Sequence, residues 1–333
     1  MQRRESAQAT EAMEKTSDLM LKYADRITER DFYASKSDYG KLLIIAGSAG
    51  MAGAAFLSGL AAFRSGIGMV RYFGPESNRT ILQTLLPEAM YDADGSVSEE
   101  GNCSAEKLRR AVSWADMIIC GPGLSTGKRA KDLVKQLFVC ELKGKKLVLL
   151  DADALNVVSS EKIRLIQLSG ERSRKGYGSP LVITPHVGEM SRLNGRTIAE
   201  IKADPVGTAA AWASENHCTV VLKDAVSYVA FPDGTVRQND SGHAALAKAG
   251  SGDVLTGVIA GMTAVIGKGA AEGAAAGTFV HGKAGELAAA YHGEHSVLAR
   301  DVADAVSGVI GSASYKYDRV FDTCEDECPE MEK

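Results

Sequence analysis

The chain contains no long hydrophobic run, no run of lysine or arginine, and no CxxC pair. No apolar stretch reaches the ~18 uninterrupted residues typical of a membrane-spanning helix, and the first 30 residues mix charged with single apolar side chains, unlike a signal peptide. A formal net charge of −4 without a basic cluster disfavours nucleic-acid binding. We therefore expect a cytoplasmic protein that binds neither a membrane nor nucleic acid.

Cysteine and proline are also sparse, with 6 Cys and 8 Pro in 333 residues. Without CxxC spacing the cysteines do not predict a zinc site, so we expect reduced thiols. Cys324 and Cys328 form a CxxxC motif in the acidic tail, residues 316–333. We predict that this tail is disordered rather than metal-binding.

What the chain does contain is glycine, 35 residues of it, in a sequence that is 45% hydrophobic. Short apolar runs alternate with helical patterns, which predicts buried parallel strands in a doubly wound α/β fold. The predicted strands are 41–46, 68–73, 115–120, 146–155, 181–184, 218–223, 228–231 and 235–237. The turn Pro232-Asp233-Gly234 joins the last two, so we expect a mostly parallel sheet with an antiparallel hairpin at one edge.

The domain prediction is a single α/β domain over residues 37–315, preceded by a helical extension. Apolar residues recur at roughly helical spacing over residues 10–27, which indicates an amphipathic helix within the extension 1–36. Such a helix packs either on the domain or on another subunit.

A glycine-rich turn follows the first strand, with Gly47, Gly50 and Gly53 at a spacing of three. This pattern is neither GxGxxG nor a Walker A loop. The later Gly127-Lys128 pair is not a P-loop either, since Pro122 replaces the first glycine and Arg129 replaces Ser or Thr. Close approach to a ligand and tight strand-to-helix packing both remain possible for the Gly47 turn.

The turn Gly250-Ser251-Gly252-Asp253 precedes a helical run of small and apolar residues. The start of a helix presents unpaired N–H groups and a partial positive charge, which suit a phosphate. Asp253 there could accept a proton from a substrate hydroxyl. The alternative is a purely structural role, in which the glycine turn caps the end of one helix and Asp253 is a favourable negative charge at the start of the next.

Other polar residues follow predicted strands directly. Asp151 and Asp153 lie at the carboxyl end of one predicted strand, and His186 follows the next. The carboxyl ends of parallel strands are where open α/β sheets bind their ligands. A lone histidine after a strand is more often structural, but its position at this edge favours a role in the site.

Together these segments resemble the ADP- or ATP-dependent NAD(P)H-hydrate dehydratases of the ribokinase-like fold, from about Asp38 to about Ser307. The motifs that carry the resemblance are Gly40-Lys41, Gly47-Ser48, Gly53-Ala54, Pro87-Glu88-Ala89-Met90, Gly121-Pro122-Gly123-Leu124, Asp151-Ala152-Asp153-Ala154-Leu155, Thr184-Pro185-His186, Leu222-Lys223 and Ala249-Gly250-Ser251-Gly252-Asp253-Val254-Leu255. The resemblance implies repair of the S epimers of hydrated NADH and NADPH. A nucleotide, ADP or ATP with Mg²⁺, phosphorylates the ring hydroxyl, and phosphate then leaves.

The resemblance also implies roles for particular residues. Asp253 would be the catalytic base. Four residues would face the hydrate: Ala54, Gly123, His186 and Asp253. Six would hold the nucleotide: Lys223, Asp224, Ala225, Gly250, Ser251 and Gly252. No protein ligand for a metal is implied.

Two positions depart from the family pattern. Asp224 stands where Gly usually follows the lysine, and His243 stands where Asn usually follows a glycine. They favour one alternative, a non-catalytic nucleotide sensor on the same fold. The main alternative is a ribokinase-like kinase of a small hydroxylated molecule, of the hydroxyethylthiazole-kinase type, because the anion site and Asp253 would serve either reaction.

We also predict how the chain assembles and which enzyme acts beside it. Glycine- and alanine-rich helices containing Gly261, Gly267, Gly269, Gly273 and Gly277 predict a homo-oligomer, with a tetramer suspected. A separate NAD(P)H-hydrate epimerase would act alongside the dehydratase.

Overall fold

A nine-stranded sheet forms the centre of the protein in the computed structural model, which describes residues 13–96, 101–140, 147–167, 180–267 and 269–312. The strands are β1 Lys41–Ile45, β2 Met69–Gly74, β3 Met90–Ala93, β4 Met117–Cys120, β5 Leu147–Leu150, β6 Leu181–Ile183, β7 Thr219–Leu222, β8 Tyr228–Ala230 and β9 Val236–Gln238. Their order is β3-β2-β1-β4-β5-β6-β7-β8-β9. Strands β3 to β7 are parallel, and β7, β8 and β9 pair antiparallel. The predicted sheet and its edge hairpin are confirmed, but the strand predicted over residues 146–155 ends at Leu150, and the residues from Asp153 onward form a helix.

One strand escaped the sequence analysis. Strand β3 pairs with β2 at the edge of the sheet, with Arg71 opposite Met90 and Tyr72 opposite Tyr91. It is four residues long and includes Asp92, so its hydrophobic pattern is too short to show a period.

Helices cover both faces of the sheet. They are α1 Thr16–Lys22, α2 Ala24–Thr28, α3 Ala52–Arg64, α4 Arg79–Leu85, α5 Ala105–Trp114, α6 Lys128–Val139, α7 Asp153–Ser160, α8 Val187–Asn194, α9 Ile198–Ala203, α10 Pro205–Asn216, α11 Ser251–Ile266, α12 Ala270–His292 and α13 Ala299–Ser312. Short 3₁₀ turns lie at Glu76–Asn78 and Ala244–Leu246.

The strands are apolar on both faces because each face has its own core. In β1, Leu42 and Ile44 belong to one cluster of buried side chains, and Leu43 and Ile45 to the other. The first cluster includes residues of α3, α11, α12 and α13, and the second includes residues of α5 to α10. This arrangement explains why the parallel strands are continuous apolar runs rather than alternating ones.

The N-terminal residues pack on the domain itself. The predicted helix over residues 10–27 is two short helices, α1 and α2, separated at Tyr23. Leu19 and Ile27 are buried in the first core, and Arg26 Nη1 donates to the Ile266 carbonyl at 2.8 Å, near the end of α11. Residues 1–12 and the acidic tail lie outside the described residues, so the predicted domain boundaries stay predictions.

Glycines in the long helices serve contacts within the chain. A Cβ on Gly257 would lie 2.2 Å from the Ser58 carbonyl oxygen, and one on Gly277 would lie 2.6 Å from the Ile259 Cα. Side chains at these positions would push α11 away from α3 and from α12. Close packing of helices within the chain therefore explains why glycine occupies these positions and neighbouring ones in the same helices. No second subunit is needed for that explanation.

Four cysteines, Cys103, Cys120, Cys140 and Cys218, are free thiols. Cys324 and Cys328 lie outside the described residues. Within the described part of the chain, no helix is both long enough and apolar enough to cross a membrane.

Candidate active site

The polar residues predicted from the sequence meet at the carboxyl edge of the parallel strands. Gly47 follows β1, Gly121 follows β4, Asp151 follows β5, and Lys223 follows β7. His186, three residues after β6, forms an isolated parallel bridge with Lys223. Because all these strands run in one direction, their carboxyl ends form one edge, as expected for a ligand site.

An ion pair lies at the centre of this edge. Lys223 Nζ donates to Asp151 Oδ1 at 2.8 Å, and Thr184 Oγ1 donates to the same oxygen at 2.7 Å. Burial opposes the charge on Lys223, but the carboxylates of Asp151 and Glu189 outweigh it, and the pKa of Lys223 is raised. The lysine is therefore a fixed cation, and its side chain is 21% exposed.

The predicted phosphate turn forms the start of α11. Gly250 precedes the helix with φ of +92°, a left-handed conformation that glycine adopts without strain. A Cβ there would also meet Leu57 Cδ1 at 2.6 Å. At Gly252 a Cβ would lie 3.4 Å from Lys223 Nζ, so the turn and the lysine are neighbours.

Asp253 sits in the first turn of α11, beside this ion pair. Burial raises the pKa of Asp253 to about 7, and the charges of Asp151 and Asp153 add to the effect, while Lys223 opposes it. No hydrogen bond to the Asp253 carboxylate comes from the residues that the structure describes. A carboxylate that titrates near neutral pH and has a free oxygen is suited to accept a proton.

Ala54 and Gly123 lie together next to Asp253. A Cβ on Gly123, whose φ is +57°, would lie 2.8 Å from the Ala54 Cβ. The Ser58 hydroxyl oxygen is 3.1 Å from the carbonyl oxygen of Ala54 and 3.0 Å from that of Asp253. The structure thus brings together three of the four residues predicted to face the hydrate.

The two glycine turns on this side are held by buried polar side chains. Gly47 N donates to the Pro122 carbonyl at 2.8 Å. Arg129 Nη1 donates to the Gly47 carbonyl at 3.2 Å, and its Nε donates to Asp94 Oδ2 at 2.6 Å, with both charged side chains 0% exposed. Asn78 Nδ2 donates to the Ser48 carbonyl at 3.2 Å. We name Arg129, Asp94 and Asn78 the buried clamp.

His186, the fourth residue of this set, caps a helix. Its Nδ1 accepts from the N–H groups of Gly188 at 2.9 Å and Glu189 at 3.3 Å, and its own N–H donates to Glu189 Oε2. This capping box gives the histidine a structural role. Its side chain is nevertheless 53% exposed, and with Nδ1 accepting, the neutral ring carries its proton on Nε2.

A cavity of about 1130 Å³ opens on the Lys223 side. Of the residues predicted to hold a nucleotide, five line it: Lys223, Asp224, Ala225, Ser251 and Gly252. His186 lines it too, whereas Ala54, Gly123, Gly250 and Asp253 are not among the described residues of its lining. The predicted site therefore has two parts, a charged cavity and a set of glycine turns, which meet at Asp253.

The two departures from the family pattern have identifiable partners. Asp224 Oδ2 lies 3.7 Å from Lys202 Nζ, and Asp224 Oδ1 accepts from Ala225 N at 3.0 Å. His243 Nδ1 accepts from Ala245 N at 3.2 Å, at the start of a 3₁₀ turn. The negative charge of Asp224 is thus partly balanced by a lysine that the sequence pattern does not connect to it.

Sequence reasoning missed two other groups. The first is His281, whose Nε2 is 3.2 Å from Ser251 Oγ. It lies in α12, where the many small residues indicate only close packing. Arg129 enters the sequence analysis only as a mismatch to a P-loop. No local pattern marks either residue, because their partners Ser251 and Asp94 are 30 and 35 residues away along the chain.

The side chains at this edge show whether the expected Mg²⁺ could bind to the protein. Among the described residues, no group of three or more His, Cys, Asp or Glu side chains could hold a metal ion. The carboxylates of Asp151, Asp153 and Asp253 interact electrostatically, and such hard oxygen donors suit Mg²⁺. Mg²⁺ commonly takes one or two carboxylates together with substrate phosphates, so one of these carboxylates would be enough for an ion that arrives with a nucleotide.

Known proteins give independent information about the chain. A family model described as NAD(P)H-hydrate dehydratase matches residues 42–307. The ADP-dependent (S)-NAD(P)H-hydrate dehydratase of Bacillus subtilis is 32% identical over 283 residues, which is 85% of this chain and 93% of that protein. The bifunctional NAD(P)H-hydrate repair enzyme of Moorella thermoacetica is 35% identical over 86% of this chain, but this chain spans only 52% of its length.

Solved structures agree with the sequence matches. The ADP/ATP-dependent NAD(P)H-hydrate dehydratase of Bacillus subtilis, co-crystallised with ATP/Mg²⁺, superposes with a TM-score of 0.69 at 30% identity, covering 86% of this chain and 95% of that one. A hydroxyethylthiazole kinase from Pyrococcus horikoshii, at 17% identity and a TM-score of 0.56, shares the fold alone. With the family match spanning the sheet and every strand end of the site, the chain belongs to the NAD(P)H-hydrate dehydratase family.

Proposed function

We propose that this protein restores NADH and NADPH from the S epimers of their hydrates in a nucleotide-dependent dehydration. The observation that carries the proposal is Asp253, whose pKa is raised to about 7, at the start of α11 and beside the fixed cation Lys223. A base and an anion-binding helix start are the two groups that phosphorylation of a hydroxyl needs.

The reaction is proposed to run in two stages. The ring hydroxyl oxygen attacks the terminal phosphorus of ADP or ATP, its proton passes to a carboxylate oxygen of Asp253, and the shortened nucleotide leaves. The ring C–O bond to the phosphate then breaks, the neighbouring ring carbon loses a proton that the departing phosphate takes up, and the new C=C bond regenerates the dihydropyridine. A base whose pKa lies near the working pH is best suited to the first proton transfer.

The nucleotide is proposed to bind in the 1130 Å³ cavity, with its phosphates towards Lys223 and the N–H groups of the Gly250–Asp253 turn. Positive charge and backbone donors there would stabilise the charge on the transferred phosphoryl group. Asp224 and Ala225 line the same cavity and would contact the rest of the nucleotide. Mg²⁺ bound to the phosphates would neutralise part of their charge and hold them in line for transfer.

The hydrate is proposed to lie against Ala54 and Gly123, with its reacting hydroxyl at Asp253. A side chain at Gly123 would collide with Ala54, so glycine keeps this turn packed closely on the start of α3, and the two residues would together form the surface on which the nicotinamide ring lies. The His186 side chain is half exposed, and its Nε2, which lies 3.5 Å from Glu189 Oε1, would donate to a polar group of the substrate.

The purified full-length chain provides the test. Hydrated NADH is mixed with Mg²⁺ and either ADP or ATP, and absorbance is followed in the reduced-nicotinamide band. We expect recovery of the reduced cofactor with release of one phosphate per turnover. A stable phosphomonoester would instead indicate a small-molecule kinase, and nucleotide binding without any product would indicate a sensor.

Assembly and location belong to the same proposal. We propose a homo-oligomer, a tetramer, in which another subunit would cover Phe32 and Tyr33, each 90% exposed, and Tyr291, 85% exposed. Light scattering at micromolar concentration tests this, and a monomer would contradict it. We propose that the protein works in the cytoplasm beside a separate NAD(P)H-hydrate epimerase, which would supply the S epimer.

A further inference from the structure

A buried histidine that the proposed chemistry does not use lies behind the phosphate turn. His281, in α12, is 8% exposed, and its Nε2 is 3.2 Å from the hydroxyl oxygen of Ser251, the first residue of α11. Both residues line the large cavity. Ser251 precedes Gly252, where a Cβ would lie 3.4 Å from Lys223 Nζ. The imidazole therefore supports a residue at the cationic end of the cavity.

The ring is neutral at physiological pH. Burial lowers the pKa of His281 to about 4, and the positive charge of Lys223 acts in the same direction. A hydrogen bond with the backbone of Ser251 opposes them and raises the pKa. A neutral imidazole has one N–H donor and one acceptor nitrogen. What the ring does to Ser251 thus depends on which nitrogen carries its single proton.

The two tautomers have opposite consequences for the serine. With the proton on Nε2, the ring donates to Ser251 Oγ, and the hydroxyl proton is left for another acceptor. With Nε2 unprotonated, the Ser251 hydroxyl donates its hydrogen bond to the ring and has no proton left for another acceptor. An anionic phosphate oxygen accepts a stronger hydrogen bond than a neutral imidazole does, so an anion in the cavity selects the first arrangement.

We propose that His281 is a positioning residue for the nucleotide, which donates from Nε2 to Ser251 Oγ and so directs the Ser251 hydroxyl proton to a phosphate oxygen. This inference rests on the proposed function of the cavity as a nucleotide site. The polar chain runs from the ring N–H to the serine oxygen, and from the serine O–H to the phosphate. It gives a reason for a buried imidazole in a helix of mostly small residues, where an aliphatic side chain would fill the same space.

The test measures ADP and ATP binding by calorimetry, together with KM and kcat for the nucleotide. His281→Leu should weaken nucleotide binding about tenfold, since one hydrogen bond loses its orientation. The KM should rise by a similar factor, while kcat changes less. His281→Gln, whose amide N–H can still reach the serine, should bind within about threefold of wild type.

A double mutant separates positioning from direct contact. If His281 acts through the serine, Ser251→Ala should weaken binding as much as His281→Leu does. The double mutant should then be no weaker than Ser251→Ala alone, because the two residues act as one unit. Additive losses would overturn the proposal, since His281 would then act on the nucleotide by another route.

Exposed His292 in the same helix provides the matched control, and His292→Leu should leave binding unchanged. Unaltered binding by His281→Leu with a lower melting temperature would show that His281 only packs, and would overturn the proposal. If His281→Leu does not fold, Ser251→Ala with wild-type affinity would overturn it instead. A wild-type protein that binds nucleotide without restoring NADH contradicts the proposed dehydration alone, whereas one that binds neither ADP nor ATP contradicts both.

Discussion

The two parts of the site are held in place by different means. On the side where the hydrate is proposed to bind, the hydrate side, uncharged glycine turns are fixed by the buried clamp, in which Arg129 and Asp94 are 0% exposed. On the side where the nucleotide is proposed to bind, the nucleotide side, the charges themselves face the cavity, with Lys223 21% exposed and Asp224 41% exposed. A rigid, uncharged surface suits a flat ring that must be placed accurately, whereas accessible cations suit phosphates that enter from water.

The difference also predicts where mutations act. On the hydrate side the charged residues lie behind the backbone, so their loss should affect folding first. On the nucleotide side the charged residues line the cavity, so their loss should affect binding first. Asp253 lies where the two parts meet, and its loss should affect the chemical step.

The largest effect is expected for Asp253→Asn. The amide keeps the size of the side chain but cannot accept the hydroxyl proton, so turnover should fall by roughly 10²- to 10⁴-fold. Nucleotide binding should be retained or tightened, because a carboxylate beside the phosphates is removed. Stopped-flow or steady-state recovery of NADH measures the first effect, and calorimetry measures the second.

Asp233→Asn, an identical change in the β8–β9 turn, is the control and should have no effect on turnover. If Asp253→Asn restores NADH within a few-fold of the wild-type rate, Asp253 is not the base. The base would then have to be sought at Asp153 or His186.

The buried clamp gives the second effect, this time on stability. Arg129→Met leaves the Asp94 carboxylate buried without its partner, which should cost roughly 3–5 kcal/mol in the free energy of unfolding. Urea denaturation measures the loss. Adding Asp94→Leu should recover part of it, because no unpaired charge then remains.

Lys223→Met is the matched change on the nucleotide side. It should lower stability less than Arg129→Met does and raise the nucleotide KM more, since Lys223 is partly exposed and lines the cavity. Equal stability losses for the two variants would remove the distinction between the two parts of the site.

The third effect is the pH dependence of turnover. Asp253 must be ionised to accept a proton, and burial raises its pKa to about 7. The rate should therefore fall about tenfold for each pH unit below about 7. Asp253→Asn should lose this acidic limb, and an acidic limb with its midpoint near pH 4 would contradict the assignment.

The raised pKa of Asp253 also makes stability depend on pH, but stability falls as pH rises whereas turnover increases. A carboxyl whose pKa is raised in the folded state holds its proton more tightly there, so its contribution is fully present below about pH 4 and is lost as pH rises through about 7. Asp253→Asn should therefore unfold at a higher urea concentration than wild type above pH 7, with a smaller difference at pH 4.

The smallest effect is expected for Asp224→Gly. The carboxylate repels phosphates, but Lys202 at 3.7 Å partly neutralises it, and such exposed pairs are weak. The nucleotide KM should fall by only about two- to threefold. Lys202→Met should raise KM by a similar factor. A raised KM for Asp224→Gly would show that the Asp224 carboxylate helps to hold the nucleotide rather than repelling its phosphates.

The sequence by itself determined the described strands of the sheet other than β3, and the edge at which their polar residues meet. Buried parallel strands are continuous apolar runs, and the Asp233-Gly234 turn has local chemistry that specifies a hairpin, so short windows were sufficient. The turn before α11 could also be predicted from local sequence, because Gly250 permits the left-handed backbone conformation that precedes the helix. The order of these segments also identified the family.

Tertiary structure decided which side chains are partners. Arg129 with Asp94, Lys202 with Asp224, and His281 with Ser251 are each more than 20 residues apart in sequence. Their contacts depend on how helices pack across the sheet, and no periodic pattern encodes that. The glycines in α11 and α12 show the same limit: sequence marks them as smooth surfaces, but only the fold shows that the chain's own helices lie against them.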